Sequence, residues 1–162
     1  MPAAAARTLS GKGRQTRQSI EDAARKLFAE RGFHGTTLAD ITSAAGKSPG
    51  LFYRYFDDKE DLLAALAESF LHDVVEPSGL RVHLPESPLD SGFFLTVVTA
   101  YWNMFKQHIG IMVAVDQLAA TQPRFAAVQN EFRRFGMDII TTSVHRAREQ
   151  GYGRGLHPEH TA

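Results

Sequence analysis

The stretch from residue 48 to residue 63, SPGLFYRYFDDKEDLL, brings together side chains that can bind the phosphates and bases of a nucleic acid. Tyr53 has a hydroxyl that can donate to a phosphate oxygen, and Arg54 can donate to phosphate or to guanine. Gly50 has no side chain, so the backbone there can lie close to a ligand. Lys59 follows at a predicted helix start, where an ammonium and a helix N-terminus together favour an anion.

Helical periodicity separates these groups from the aromatic residues between them. Ser48 is a suitable N-cap and Pro49 a suitable first helical residue, so a helix is predicted to begin here. Phe52 and Phe56 are four residues apart and therefore share the side that can pack inward. The opposite, exposed side is predicted to hold Pro49, Gly50, Tyr53 and Arg54.

A second short helix is predicted just before this one. Thr37 is a suitable N-cap, Asp40 completes a capping box with Asp in place of Glu, and Gly46 ends the helix. The two helices, separated by AAGKS, have the arrangement of a helix-turn-helix with glycine in the turn. The second helix of such a motif enters the major groove of DNA.

The rest of the chain also shows helical patterns. An apolar stripe starting near Thr16 is ended by Gly32, and Asp57-Asp58 caps a helix that carries apolar residues as far as Val74. Residues 77–90 carry three prolines and indicate a linker. Three further helices are predicted, namely GFFLTVVTAYWNMFKQH, a separate shorter GIMVAVDQLAA, and a long one at about residues 123–150. No strand pattern competes, so we expect an all-α fold.

Composition narrows the function further. Residues 1–56 have a formal charge of +5 and residues 57–162 a charge of −5, so only the front half is expected to meet a polyanion. There is no cysteine, no apolar signal sequence and no run long enough to span a membrane, which favours a cytoplasmic protein. His157 and His160 have metal-ligand spacing without a third ligand nearby, so we predict no metal, no cofactor and no catalytic activity.

The stretch TTLADITSAAGKSPGLFYRYFDDKEDLLAAL, residues 36–66, resembles the DNA-binding domain of TetR-family transcriptional regulators. The likeness covers about residues 15–70. Its hallmark residues are Phe28, Gly32, Thr36, Thr37, Ile41, Ala45, Gly46, Ser48, Gly50, Tyr53, Tyr55, Phe56, Lys59 and Leu62. Two residues depart from the family pattern: Lys47 stands where the family usually has a small apolar residue, and Thr42 where it usually has alanine. How the turn packs around Lys47 is therefore an open question at this point.

The resemblance implies a three-helix DNA-binding head, a helical body that binds a ligand and dimerises, and a homodimer. It implies a repressor that a small molecule releases from its operator. We expect a basic arm at residues 1–14, the DNA-binding domain at 15–60 and the regulatory body at 61–162. The DNA-binding candidates are Thr37, Lys47, Ser48, Pro49, Gly50, Tyr53, Arg54, Tyr55 and Lys59.

The body is rich in aromatic residues and methionine, which favours a mainly apolar effector. The candidate lining residues are Phe94, Tyr101, Trp102, Phe105, Met112, Gln117 and Met137. Aromatic residues at helical spacing also form ordinary cores. Two alternatives therefore stay open at this point: a DNA-binding adaptor without a ligand, and an all-α enzyme or carrier.

The chain stops at GLHPEHTA, where Pro158 and Glu159 indicate a helix start. Members of the resembled family usually continue with helices that pack against a partner subunit, so the body is expected to be shortened at its C-terminus. Dimerisation is then a property of the full-length protein. We expect the 162-residue chain alone to self-associate, to dimerise poorly and to bind operator weakly.

Overall fold

The computed structural model describes residues 10–75 and 91–149, and every regular element in those residues is an α-helix. The predicted all-α fold with an N-terminal helix-turn-helix is confirmed. The predicted linker at 77–90 and the pair His157 and His160 lie outside the described residues. The helices are α1 (Gly11–Arg31), α2 (Leu38–Ala44), α3 (Pro49–Phe52), α4 (Lys59–Val75), α5 (Ser91–Ala119) and α6 (Pro123–Glu149).

The first helix begins earlier than predicted. Residues 11–14, expected in a flexible arm, are helical because Ser10 caps the helix and accepts a hydrogen bond from the Gly13 N–H at 3.2 Å. The predicted end is confirmed. Gly32 adopts φ 73°, a conformation that favours glycine, and its N–H donates to the Phe28 carbonyl at 3.1 Å.

One buried core runs through both parts of the chain. On α1 the predicted stripe is buried, including Ile20, Leu27 and Phe28, and it packs with buried leucines of α4. The same core continues into the C-terminal half of α5 and the start of α6, with Ile111, Ala114, Val115, Leu118 and Phe125. The predicted boundary at residues 60–61 falls within the first turn of α4, so the core of the head extends across it into the body.

The predicted break in the body helix was wrong. α5 is one continuous helix of 29 residues, although Gly110 lies within it. A Cβ built on Gly110 would lie only 2.6 Å from the Ala29 nitrogen and 2.7 Å from the Phe28 carbonyl carbon, both in the backbone of α1. The glycine therefore permits a close helix crossing and does not end the helix.

The described helices do not include a candidate for a membrane span, since none combines sufficient length with sufficient hydropathy. Pro123 begins α6, as predicted.

Candidate DNA-binding surface

Local hydrogen bonds define the turn between α2 and α3. Gly46 has φ 62°, and the Lys47 N–H donates to the Thr42 carbonyl at 2.9 Å. Ser48 then caps α3 by accepting from the Leu51 N–H at 3.3 Å, and Pro49 is the first helical residue, both as predicted. The helix-turn-helix is therefore built from the turn and capping signals that the sequence carries.

The helix α3 ends at Phe52 and residues 53–55 form a turn, so it is shorter than predicted, but its two predicted sides are separated as expected across residues 49–56. Phe52 and Phe56 are buried with their ring centroids 5.5 Å apart, which anchors the short helix to the core. Tyr53 keeps 59% of its surface exposed and Arg54 is also exposed. A phenol hydroxyl and a guanidinium are therefore exposed to solvent in the turn that directly follows the anchored helix, where they can donate hydrogen bonds to a polyanion.

The first turn of α3 presents little more than backbone. Ser48, Pro49 and Gly50 are exposed, and a Cβ placed on Gly50 would meet no atom within 4 Å. Packing inside the protein therefore does not require glycine at this position. A flat, small surface at the start of this helix leaves room for a partner to approach its backbone.

Thr37 is exposed at the N-terminus of α2, and its side chain is already engaged. Its hydroxyl donates to Asp40 Oδ2 at 2.6 Å and accepts from the Asp40 N–H at 3.1 Å, so the predicted capping box is confirmed. Hydrogen bonds from the Thr37 hydroxyl and then from the Thr37 N–H hold the pKa of Asp40 below its ordinary value. Desolvation opposes them, and the charge of Arg31 adds the smallest lowering effect.

Three other residues of the motif are at least partly buried. Tyr55 packs against the core, and Lys47 is half-exposed in the turn. Thr42 is buried, and its hydroxyl lies within hydrogen-bonding distance of the carbonyls of Leu38 and Ala39, at 3.1 and 3.2 Å. The departure from alanine at position 42 is therefore accommodated without an unpaired polar group.

The Lys59 side chain is turned toward the protein. Its ammonium donates to the carbonyls of Phe33 and Thr36 at 2.8 Å each, and it lies 4.2 Å from the centroid of the Phe33 ring. The sequence reasoning missed Phe33 and this role of Thr36, because nothing local relates them to a lysine 23 to 26 positions later. A phosphate contact by Lys59 stays a prediction.

Comparison with known proteins agrees with this geometry. A family model described as "Bacterial regulatory proteins, tetR family" matches residues 20–66. The HTH-type transcriptional repressor KstR2 of Rhodococcus jostii (strain RHA1) is 34% identical over 143 residues, which cover 83% of this chain and 68% of that repressor. The chain belongs to the TetR family.

Solved structures place the TetR-family likeness across head and body. The ketosteroid transcriptional regulator KstR2 of Mycobacterium tuberculosis superposes with a TM-score of 0.65 at 25% identity, covering 87% of this chain and 72% of that one. The fatty acid degradation regulator FadR of Bacillus halodurans has the same fold, with a TM-score of 0.60 at 24% identity, over 90% and 72% of the two chains. The protein is thus a DNA-binding transcriptional regulator of the TetR family and not an enzyme.

The predicted effector residues of this TetR-family body are mostly exposed where the structure describes their side chains. Trp102 keeps 60% of its surface exposed, Met137 61%, and Gln117 is exposed as well, while Met112 is half-buried. Trp102 and Gln117 are about 22 Å apart along α5 at the helical rise per residue. The side chains of Phe94, Tyr101 and Phe105 lie outside the described residues.

A different aromatic cluster lies inside the body. The Phe70 ring of α4 lies 4.4 Å from the His108 ring of α5 between centroids, with the two planes tilted by 41°, and it meets Phe132 of α6 edge-on at 5.2 Å. His108 and Phe132 were not singled out from the sequence, since their contact with Phe70 depends on how three helices pack. Among the described residues, no group of three or more His, Asp or Glu side chains could hold a metal ion.

Proposed function

We propose that this TetR-family regulator is a repressor that a small, mainly apolar effector releases from its operator. The observation that carries DNA recognition is the division of α3 and its C-terminal turn into a buried side with Phe52 and Phe56 and an exposed side with Tyr53 and Arg54. The protein acts in the cytoplasm, where bacterial DNA lies.

In this proposal α3 lies in the major groove. Tyr53 donates its hydroxyl to a phosphate, Arg54 reaches phosphate or guanine, and the bare backbone at Gly50 approaches the DNA. The remaining candidates border this helix at its turn, at its C-terminal end and at the start of α2. They are Thr37, Lys47, Ser48, Pro49 and Tyr55.

The working form in this proposal is a homodimer. One head reads one half-site, and tight specific binding by helix-turn-helix proteins commonly needs two heads separated by about one turn of DNA or a multiple of it. An effector can then act by changing the separation of the heads, provided that it prefers the arrangement that does not fit the operator.

Two observations support an apolar effector within the body. The Phe70–His108–Phe132 cluster joins α4, α5 and α6, and α4 leads directly back to the helix-turn-helix. The tuberculosis relative is a ketosteroid transcriptional regulator, and ketosteroids are large apolar molecules. An effector bound against these three helices contacts the element that connects body and head.

The test is a selection of operator sequences from random DNA, followed by a screen of apolar and aromatic compounds for release. A true effector lowers operator affinity by about 5- to 150-fold, the usual range of allosteric coupling, and Phe132→Ala should reduce that effect without changing operator affinity in the absence of compound. Trp102 fluorescence gives a second readout. If no compound changes either signal, the protein is a DNA-binding adaptor and the effector part of the proposal fails.

A further inference from the structure

The Lys59 ammonium binds the protein backbone through two hydrogen bonds. Two of its three protons are used by the Phe33 and Thr36 carbonyls, each at 2.8 Å. The same ammonium lies over the ring of Phe33, which is buried, so the bonds are partly shielded from water.

The carbonyl partners lie at one end of the helix-turn-helix and Lys59 at the other. Phe33 follows the glycine that ends α1, and Thr36 precedes the N-cap of α2. Lys59 is the first residue of α4, immediately after α3 and its C-terminal turn. The two hydrogen bonds therefore close residues 33–59 into a loop that contains the complete DNA-reading unit.

The closed end is itself fixed to α1. Thr36 is buried, and its hydroxyl is 2.8 Å from the Gly32 carbonyl and 3.3 Å from the Leu27 carbonyl. α3, by contrast, has only four residues, too few to hold a helix orientation by its own hydrogen bonds. Phe52 and Phe56 attach α3 to the core from one side, and the way the ends of this loop are held further restricts the direction in which α3 points.

The surroundings of Lys59 disfavour an anion. The N-terminus of α4 is already capped by carboxylates, since the Asp61 N–H donates to Asp58 Oδ1 at 2.6 Å and the Asp57 N–H donates to Asp61 Oδ2 at 3.1 Å. Glu60 adds another negative charge to the same turn. A phosphate here would be repelled by these carboxylates, whereas the Lys59 ammonium is already hydrogen-bonded to the two carbonyls.

We propose that Lys59 is a positioning residue for DNA recognition: its ammonium ties the start of α4 to the turn before α2 and so sets the orientation of α3. The inference rests on the proposed operator binding by α3. A positioning role and a phosphate-binding role of Lys59 predict different effects on DNA affinity. A phosphate ligand contributes equally on every DNA sequence and adds to the salt dependence, whereas a positioning residue contributes mainly on the correct sequence.

The experiment compares the wild-type chain with Lys59→Met, Lys59→Arg and the control Lys47→Met. Binding to the selected operator and to a random duplex is measured over a range of salt, well below each unfolding midpoint. Both Lys59 variants should lower the operator-to-random affinity ratio by about tenfold or more with an unchanged salt slope, since arginine keeps the charge but not the compact geometry. Lys47→Met should weaken both duplexes alike and lower the slope by about one unit.

Two results would overturn the inference. If Lys59→Met lowers the salt slope on both duplexes and Lys59→Arg binds like wild type, Lys59 is a phosphate ligand. If the Lys59 variants melt earlier but bind with unchanged ratio, the lysine serves stability alone.

Failure of the proposed function gives a different result, namely a wild-type chain that selects no DNA sequence. In that case amide hydrogen exchange still tests whether Lys59 holds α2 and α3 in place, since it requires no DNA. Exchange in α2 and α3 should become faster in Lys59→Met while exchange in α6 does not change. Unchanged exchange in α2 and α3 would contradict the positioning role.

Discussion

Gly110 of α5 packs directly on the backbone of Ala29 in α1, with no room for a methyl group between them. The contact joins a helix of the DNA-binding head to a helix of the body. The atoms that a Cβ would meet belong to the backbone, which cannot move aside as a flexible side chain can. The spacing of the two helices is therefore set by the absence of a side chain at position 110.

Gly110→Ala should lower the stability of the protein. Forcing extra volume into a packed contact costs about 1–3 kcal/mol, and the better helix propensity of alanine, about 1 kcal/mol, offsets only part of it. Thermal or denaturant unfolding measures the difference.

Gly136→Ala is the matched control, because Gly136 also lies inside a helix and a Cβ there would meet nothing within 4 Å. That variant should be stabilised by up to about 1 kcal/mol. Equal stabilisation by both substitutions would show that the α1–α5 contact is looser than the geometry requires.

Gly50→Ala should separate DNA binding from folding. Because the added methyl meets no protein atom, the unfolding midpoint should stay the same or rise. Operator affinity should nevertheless fall, since the methyl projects from the surface that we propose lies against the DNA. Titration of labelled operator measures the loss, and unchanged operator affinity would remove the start of α3 from the interface.

Asp40 should make stability depend on pH in the acid range. Its pKa is lowered in the folded protein, so its contribution is complete above the ordinary Asp value of about 3.9 and is lost as the pH falls through the lowered pKa. The difference in unfolding temperature between wild type and Asp40→Asn should therefore shrink from pH 5 to pH 3.

Thr37→Val provides the check on the cause. It keeps the Asp40 carboxylate but removes the hydroxyl that lowers its pKa most, so the pH dependence should become weaker. If wild type and both variants lose stability in parallel on acidification, the capping box is not the source of the effect.

The sequence predicted those parts of the site that depend on neighbouring residues. The Thr37–Asp40 capping box, the Ser48–Pro49 helix start and the glycine turn at Gly46 are all local, and each was found where it was expected. The periodicity also predicted correctly that Phe52 is buried and Tyr53 exposed, because neighbouring residues of a helical segment point to different sides.

What the sequence did not predict depends on contacts between distant residues. Glycine commonly ends helices, so Gly110 was taken as a helix break, whereas in the structure it lies inside α5 and permits the close approach of α1. A lysine at a helix N-terminus is typical of a phosphate ligand, and only the folded turn after α1 brings in the carbonyls that Lys59 binds. In both cases the decisive partner is distant in the sequence, beyond the reach of periodicity.

The outer side of α5 exposes an apolar stripe. Its members recur at spacings of three, four and seven residues, which places them on one side of the helix, and each keeps between 38% and 69% of its surface exposed. They are Leu95, Val98, Trp102, Ile109 and Val113. Exposed Lys106 lies on the same side between Trp102 and Ile109. Exposed apolar residues that recur on one side of a helix are typical of contacts between molecules.

We predict that the 162-residue chain self-associates through this stripe into a mixture of species and therefore binds operator weakly. Trp102→Gln removes the largest apolar side chain and should shift sedimentation toward the monomer without loss of helix content, whereas Asn103→Ser, at an exposed polar neighbour, should leave it unchanged. Weak operator binding is expected because heads held in a mixture of arrangements do not match the fixed spacing of two half-sites. A single stable dimer that binds a palindromic site tightly and is unaffected by Trp102→Gln would show that the stripe does not form the contact.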